Sequence, residues 1–376
     1  MKTLTKEEYR AAIDNVILLC RCAVDQTAVT PEQAEKIDLD HLYQASEKHM
    51  LTAAVAYALR TAGISNKKFE QARAKSVRKV TAMDIDKTLL FEKMEQEKIW
   101  YMPLKGAVIK DWYPSVGMRQ MSDFDILFDK DRAEDIRRIF LELGFTCQHF
   151  GNGNQDTYFK LPVSNFEMHR ELFNASHKPE IYQYYRNVKS RLIKDENNSF
   201  GYHFGNEDMY IYLTAHEYKH FSDKGTGLRS LSDTYIFWKK FGDCLDNAYI
   251  LSETEKLGIS DFERQKRSLA LHLFGGETLT EKESDMLEYM ICSGTYGTLH
   301  NGIKNGVNQY GGGHAGKKMY IRKKIFLPMD TVKAKYPFYY RHKILLPFLP
   351  VYRIGKALTV DREHTKKILK TLKNIK

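Results

Sequence analysis

The chain has 376 residues, of which 43% are hydrophobic and 28% charged, values typical of a globular protein. Its 58 Lys and Arg residues exceed its 48 Asp and Glu residues, and the net charge of +10 favours acidic partners such as nucleotides, RNA or anionic membrane surfaces. The spacing of the cysteines fits neither a zinc ribbon nor a disulfide framework. No run reaches the ~18 apolar residues that a membrane span requires, and the N-terminus lacks a signal-peptide pattern. We therefore expect a cytoplasmic protein with reduced thiols and no transmembrane segment.

Helices are predicted for the N-terminal part of the chain, because apolar residues recur there at helical spacing. Thr30 followed by Pro31 predicts a helix start, with Thr30 as the N-cap. A long helix over residues 67–97 then leads into a strand over residues 100–104. We assign residues 1–90 to an N-terminal helical segment.

A strand that ends at Lys105-Gly106 is followed by Arg119 and by a segment in which carboxylate and apolar residues alternate. On a strand, alternate side chains share a face, so Asp123 and Asp125 should point the same way. Neighbouring carboxylates repel unless a cation lies between them, and Mg²⁺ is held in proteins by carboxylates together with substrate phosphates. Lys105, the Gly106 backbone and Arg119 are donors suited to a triphosphate. The pattern therefore predicts a phosphoryl-transfer site.

A third carboxylate is expected from a later strand, where residues 165–169 repeat the alternation. Glu167 and His169 would share a face there, and Glu167 would complete the ligands of a two-metal site. The three carboxylates could instead be solvent-facing residues of half-buried strands. If the three carboxylates converge, like-charge repulsion costs up to ~4 kcal/mol for a pair at about 4 Å. Replacing any one of them by its amide (Asp→Asn or Glu→Gln) should therefore keep or raise the stability of the metal-free protein.

The remaining pattern predicts an amphipathic helix over residues 131–143, three short strands and then further helices. This order suggests a mixed sheet with helices on one face. Residues 91–200 form the predicted core, residues 201–300 a C-terminal helical segment, and residues 301–376 a flexible glycine-rich and basic loop with a basic tail. The predicted class is α+β, a small mixed β-sheet core flanked by N- and C-terminal helical segments.

A competing motif, His216-Glu217-Tyr-Lys-His220, matches the H-E-x-x-H helix of zinc metalloproteases. The two histidines would share a helix face, with Glu217 available as a base. The metzincin continuation does not follow, and Glu253 is the nearest plausible later carboxylate. The alternatives to a zinc hydrolase are two histidines that pack on a helix, or two that contact nucleotide or acceptor.

Two features of the last 70 residues also suggest ligands. Residues 311–317 mimic a phosphate-binding loop, but Lys318 stands where Ser or Thr would hold Mg²⁺, so we interpret them as a flexible loop. Residues 341–353 place an apolar stretch between cations. This tail could make a weak contact with a membrane surface or with nucleic acid, although packing on the body of the protein is favoured.

The residues that carry chemistry resemble those of the polymerase-beta-type nucleotidyltransferases, and within them the uncharacterised nucleotidyltransferase family. The resemblance covers roughly residues 40 to 240. The wider superfamily usually has Gly or Ser after the first glycine, where this chain has Ala107, and Lys105 would substitute for the lost contact. The matching motifs are Leu104-Lys-Gly106, Arg119, Asp123-x-Asp125 and Glu167-x-His169.

The resemblance implies a Mg²⁺-dependent (or Mn²⁺-dependent) transfer of a nucleoside monophosphate from an NTP to a hydroxyl or phosphate acceptor, with release of pyrophosphate. It leaves open whether the acceptor is a small molecule, RNA or protein. A non-catalytic nucleotide-binding protein of the same fold is the alternative. The catalytic and metal-binding residues would be Asp123, Asp125 and Glu167. The nucleotide-binding residues would be Lys105, Gly106, Arg119 and His169.

Overall fold

The computed structural model describes residues 4–151, 153–174 and 178–375, and these residues form an α+β fold, as predicted. The strands are β1 (Tyr101–Pro103), β2 (Phe124–Phe128), β3 (Thr146–His149), β4 (Gln155–Lys160), β5 (Ser164–His169), β6 (Ile193–Lys194) and β7 (Tyr202–His203). The helices are α1 (Lys6–Asp25), α2 (Pro31–Glu35), α3 (Leu39–Lys48), α4 (Thr52–Thr61), α5 (Lys67–Gln96), α6 (Gly106–Ile109), α7 (Ala133–Glu142), α8 (Pro179–Tyr185), α9 (Asn206–Asp223), α10 (Leu228–Phe241), α11 (Asn247–Lys256), α12 (Ser260–Gly275), α13 (Glu281–Ser293), α14 (Leu299–Asn308), α15 (Gly313–Ile325), α16 (Met329–Lys335), α17 (Pro337–Arg341), α18 (Leu349–Leu358) and α19 (Arg362–Asn374).

The main sheet has the strand order β1-β2-β5-β4-β3 and is mixed. β2 and β5 run parallel, whereas the other neighbours are antiparallel. The register pairs Asp125 with Glu167 and Leu127 with His169. Since paired residues of neighbouring strands share a face, Asp125, Glu167 and His169 lie on one face of the sheet.

Both faces of the sheet are covered, so the prediction of helices on one face is wrong. On one face, Phe124, Ile126 and Phe166 pack in a buried core with side chains of α5 and α7. On the other face, Met102 of β1 and Leu127 of β2 pack with α8, α9 and α10. The near-continuous burial of β2 is the cause, because every residue of this strand is buried and the strand requires cover on both sides.

The helical segments on either side of the sheet in the sequence meet in one bundle. Buried residues of α1, α3 and α4 share a core with residues of α12 and α13. The predicted helix start is confirmed, because the Thr30 side chain accepts a hydrogen bond from the Gln33 backbone N–H. The long helix is also confirmed as α5, whose N-cap Asn66 accepts from the Lys68 N–H.

The glycine-rich stretch that we predicted to be a loop forms α14 and α15, so that prediction is wrong there. Its glycines permit close helix packing: a Cβ at Gly306 would lie 2.6 Å from Tyr320 Cε2, and one at Gly316 would lie 2.6 Å from the Val307 carbonyl oxygen. Within this stretch, only residues 311–313, at the start of α15, have a backbone conformation that favours glycine, with φ between 55° and 87°.

Helices continue beyond α15 to residue 374. Leu372 and Ile375 close a small separate core with Ile303, Val307 and Tyr320. Across the described part of the chain, no helix combines the length and the hydropathy that crossing a bilayer requires.

Candidate active site

A cavity of about 520 Å³ lies between the sheet and the helical bundle. The sheet side supplies the predicted residues, and the opposite wall is formed by α9 and α10. Gly106 does not line the cavity itself. The predicted residues that do are Lys105, Arg119, Asp123, Asp125, Glu167 and His169.

Asp125 lies at the centre of this group and receives two hydrogen bonds on one oxygen. Lys105 Nζ donates to Asp125 Oδ1 at 2.8 Å, and His169 Nε2 donates to the same atom at 2.7 Å. Burial by itself raises the pKa of Asp125, but Lys105 and His169 bring this pKa well below its usual value. Asp125 is therefore ionised and compensated without a metal.

His169 acts as a neutral donor to Asp125. Burial and the charge of Lys105 lower the pKa of His169, so its Nε2 carries a proton and its Nδ1 does not. Nδ1 is buried and has no hydrogen-bond partner among the described residues.

Glu167 is in the opposite electrostatic situation. Burial, followed by the charges of Asp125 and Asp123, raises the pKa of Glu167 to about 7. Burial and Asp125 likewise raise the pKa of Asp123, which immediately precedes β2. At neutral pH, the two carboxylates beside Asp125 are therefore less readily ionised than Asp125 itself.

Potential ligand atoms of Asp125, Glu167 and His169 lie within 4.8 Å of one another. Among the described residues, this is the group whose geometry could hold a metal ion, and its two carboxylates are oxygen ligands of the kind that Mg²⁺ and Mn²⁺ accept. Asp123 lines the same cavity but is not part of this close group. The structure thus brings His169 closer to the carboxylate pair than Asp123.

Lys105 reaches Asp125 from an unusual backbone conformation. It is the N-cap of α6, with φ 47° and ψ −122°, a region that L-residues rarely adopt. The turn is held on both sides, because the Leu104 N–H donates to the Asp125 carbonyl oxygen at 2.9 Å and the Ile109 N–H donates to the Lys105 carbonyl oxygen at 2.9 Å. The conformation aims the ammonium group at the carboxylate cluster.

Gly106 and Arg119 contact each other. A Cβ at Gly106 would lie 2.5 Å from Arg119 Nη1, so a larger residue here would have to displace the guanidinium. Arg119 makes a bidentate pair with Asp233 of α10, with Nε and Nη2 each 2.8 Å from a carboxylate oxygen, and its Nη1 lies 3.1 Å from Met121 Sδ. The guanidinium thus joins the core to the helical bundle, and its predicted contact with a triphosphate stays a prediction.

The sequence analysis missed cationic residues of the cavity region, among them Lys219 and Arg229. Lys219 lines the wall formed by α9, and burial and then Lys105 lower its pKa. Its spacing from Tyr212 and His216 (i, i+4, i+7) was the available signal, since these positions share one helix face. Arg229 of α10 donates to the Gln120 carbonyl oxygen at 3.1 Å, and its charge favours ionisation of nearby Asp123.

The histidines of the H-E-x-x-H motif face the same cavity. His216 Nε2 lies 3.1 Å from His220 Nε2, and burial and then Lys105 lower the pKa of His216 well below its usual value. Glu217 is engaged in an ion pair, because Lys266 Nζ donates to its Oε2 at 2.7 Å. Within the part of the chain that the structure describes, no carboxylate or cysteine joins the two histidines in a metal-binding group.

A mixed sheet that presents Asp125 beside Glu167, facing a helical wall that carries cations, is typical of a nucleotidyltransferase. The chain belongs to the uncharacterised nucleotidyltransferase family, whose model matches residues 35–275. The match confirms the resemblance drawn from the motifs, and it extends through α12. Searches among curated proteins and among solved structures found no match.

Proposed function

We propose that the protein transfers a nucleoside monophosphate from an NTP to a hydroxyl or phosphate acceptor, with Mg²⁺ or Mn²⁺ as cofactor. The observation that carries this proposal is the convergence of Asp125, Glu167 and His169 in a cavity that also holds Lys105 and Lys219. Carboxylates suit a hard divalent cation, and buried ammonium groups suit a triphosphate. Membership of a nucleotidyltransferase family supports the class of reaction.

In this proposal the acceptor oxygen attacks the α-phosphorus of the NTP, and a hydroxyl acceptor releases its proton to water. The bond between that phosphorus and the oxygen bridging to the β-phosphate breaks, and pyrophosphate leaves with the bond's electron pair. Asp125 and Glu167 of the close group would hold the metal, and Asp123, which lines the same cavity outside that group, would join them. When bound, the metal would offset phosphate charge and lower the pKa of the acceptor hydroxyl.

The chain's own cations have separate tasks. We expect Lys105 to exchange Asp125 for a phosphate oxygen when the NTP binds, because a triphosphate offers more negative charge than one carboxylate. Lys219 would approach the phosphates from the opposite wall of the cavity. His169 would keep its hydrogen bond to Asp125 and so orient that carboxylate.

Calorimetry with each NTP, in Mg²⁺ and then in EDTA, tests the binding step. Binding should be much tighter with metal, and Glu167→Gln should lose most of this difference. The matched control is Glu171→Gln, four residues further along, where the side chain is 40% exposed and contacts only Lys130 among ionic partners in the described chain. Equal NTP affinity with and without metal would contradict the proposal.

Transfer itself is tested by incubating the protein with each NTP labelled at the α-phosphate, together with a cell extract. An acceptor should become labelled with the active chain and remain unlabelled with Asp125→Asn. A chain that binds NTP and metal but labels no acceptor would instead be a nucleotide sensor, which is the alternative function of this fold.

A further inference from the structure

The end of the chain differs from the rest in charge. Residues 317–376 contain 17 Lys and Arg against three Asp and Glu, a net charge of +14, whereas the whole chain carries +10. The preceding residues are therefore slightly acidic in total. The basic segment also lies outside residues 35–275, which match the family model, so its charge requires an explanation other than the shared fold.

The same segment exposes apolar side chains. More than half of the exposed large hydrophobic side chains in the described chain follow residue 317, although this segment is about a sixth of the sequence. Ile344 is 89% exposed and Phe348 is 62% exposed. Isolated exposed hydrophobic residues are common, but a cluster of them marks an interaction surface.

α18 turns its apolar stripe away from the protein. Val351, Ile354 and Leu358 stand at i, i+3 and i+7, and their exposed fractions are 67%, 43% and 61%. The inward side carries Arg353, which donates to the Tyr336 hydroxyl at 3.1 Å and to the Lys324 carbonyl oxygen at 2.5 Å. This arrangement is the reverse of a helix packed on a soluble core, so the stripe lacks its apolar partner within the described chain.

The geometry points to peripheral docking of this segment on an anionic membrane surface. The stripe of α18, together with Ile344 and Phe348, would enter the boundary between headgroups and acyl chains, while the exposed lysines and arginines would contact acidic headgroups. Arg341 and Lys343 shortly precede Ile344 in the chain, and both are exposed. The stripe of α18 itself is aliphatic, and branched aliphatic side chains offer no stacking surface to bases, which favours lipid over RNA as the partner of this stripe.

Co-sedimentation of the full-length protein with vesicles tests this inference. The protein should bind vesicles of phosphatidylcholine with phosphatidylserine at least tenfold more tightly than vesicles of phosphatidylcholine alone, and added salt should weaken binding. The triple substitution Val351→Glu, Ile354→Glu and Leu358→Glu should reduce binding at least tenfold. Since all three side chains are exposed, the fold should persist, and circular dichroism checks this.

The matched control carries Ile85→Glu and Leu161→Glu, which are 59% and 93% exposed on the body of the protein, and it should bind vesicles as the unmodified chain does. Three outcomes would overturn the inference. The first is equal or absent binding to both kinds of vesicle. The second is that the protein binds single-stranded RNA but no vesicles, and that the triple variant still binds the RNA. The third is a dimer that the triple variant dissociates, since the stripe would then meet a second copy of the chain.

Discussion

Replacing Glu167 by Gln should stabilise the metal-free protein, and only above about pH 5. The pKa of Glu167 is raised from 4.5 to about 7, by burial and then by Asp125 and Asp123. Between these values the folded chain holds a proton that the unfolded chain has released, so the free energy of unfolding falls as pH rises. At about 1.4 kcal/mol per pKa unit, the loss reaches about 3 kcal/mol above pH 7. Gln carries no charge and avoids this loss.

Thermal unfolding in EDTA at several pH values between 5 and 9 measures the effect for the unmodified chain, Glu167→Gln and the control Glu171→Gln. Near pH 5 the first two should melt together. Above pH 7 Glu167→Gln should melt several degrees higher, at about 2 °C per kcal/mol for a chain of this size, while Glu171→Gln should follow the unmodified chain. A Glu167→Gln variant that melts lower at every pH would refute the reasoning, because Glu167 would then be accepting a structural hydrogen bond.

The remaining predictions concern neighbouring residues. Asp125→Asn should have the opposite effect and destabilise the metal-free protein by about 3–5 kcal/mol at pH 7, since it leaves the buried Lys105 unpaired. Differential scanning calorimetry measures this loss of stability. An unchanged melting temperature would contradict the prediction. Arg119→Lys should lower the free energy of unfolding by about 1–3 kcal/mol in the same assay, because an ammonium cannot make the bidentate pair with Asp233. A smaller loss would mean that the pair contributes little to stability. Elemental analysis should find well under one zinc per chain, and His216→Ala should leave that content unchanged; stoichiometric zinc lost in this variant would restore the hydrolase alternative.

The faces of the strands could be predicted from the sequence, but the electrostatic partners could not. Alternation with period two is local, and it correctly places Asp125 on the face opposite Phe124. The pairing of Asp125 with Lys105 depends on a turn and on long-range packing. This pairing changes the expected sign for Asp125→Asn, which like-charge repulsion alone had predicted to be neutral or stabilising.

Contacts between distant parts of the chain account for the other differences. Arg119 and Asp233 are 114 residues apart, so their bidentate pair has no local signature. In the glycine-rich stretch, the low helix propensity of glycine favoured a loop. Tertiary packing overrides this preference, because Gly306 and Gly316 let α14 and α15 approach closely.

The backbone of Lys105 determines how its function should be dissected. An alanine at this position would remove the ammonium group but keep the Cβ that makes φ 47° costly, so the backbone strain of the native lysine would remain unchanged. A glycine would remove the same charge and relieve the strain. Lys105→Ala therefore measures the loss of the ammonium group, whereas Lys105→Gly adds the relief of backbone strain, and the difference between the two variants measures that strain.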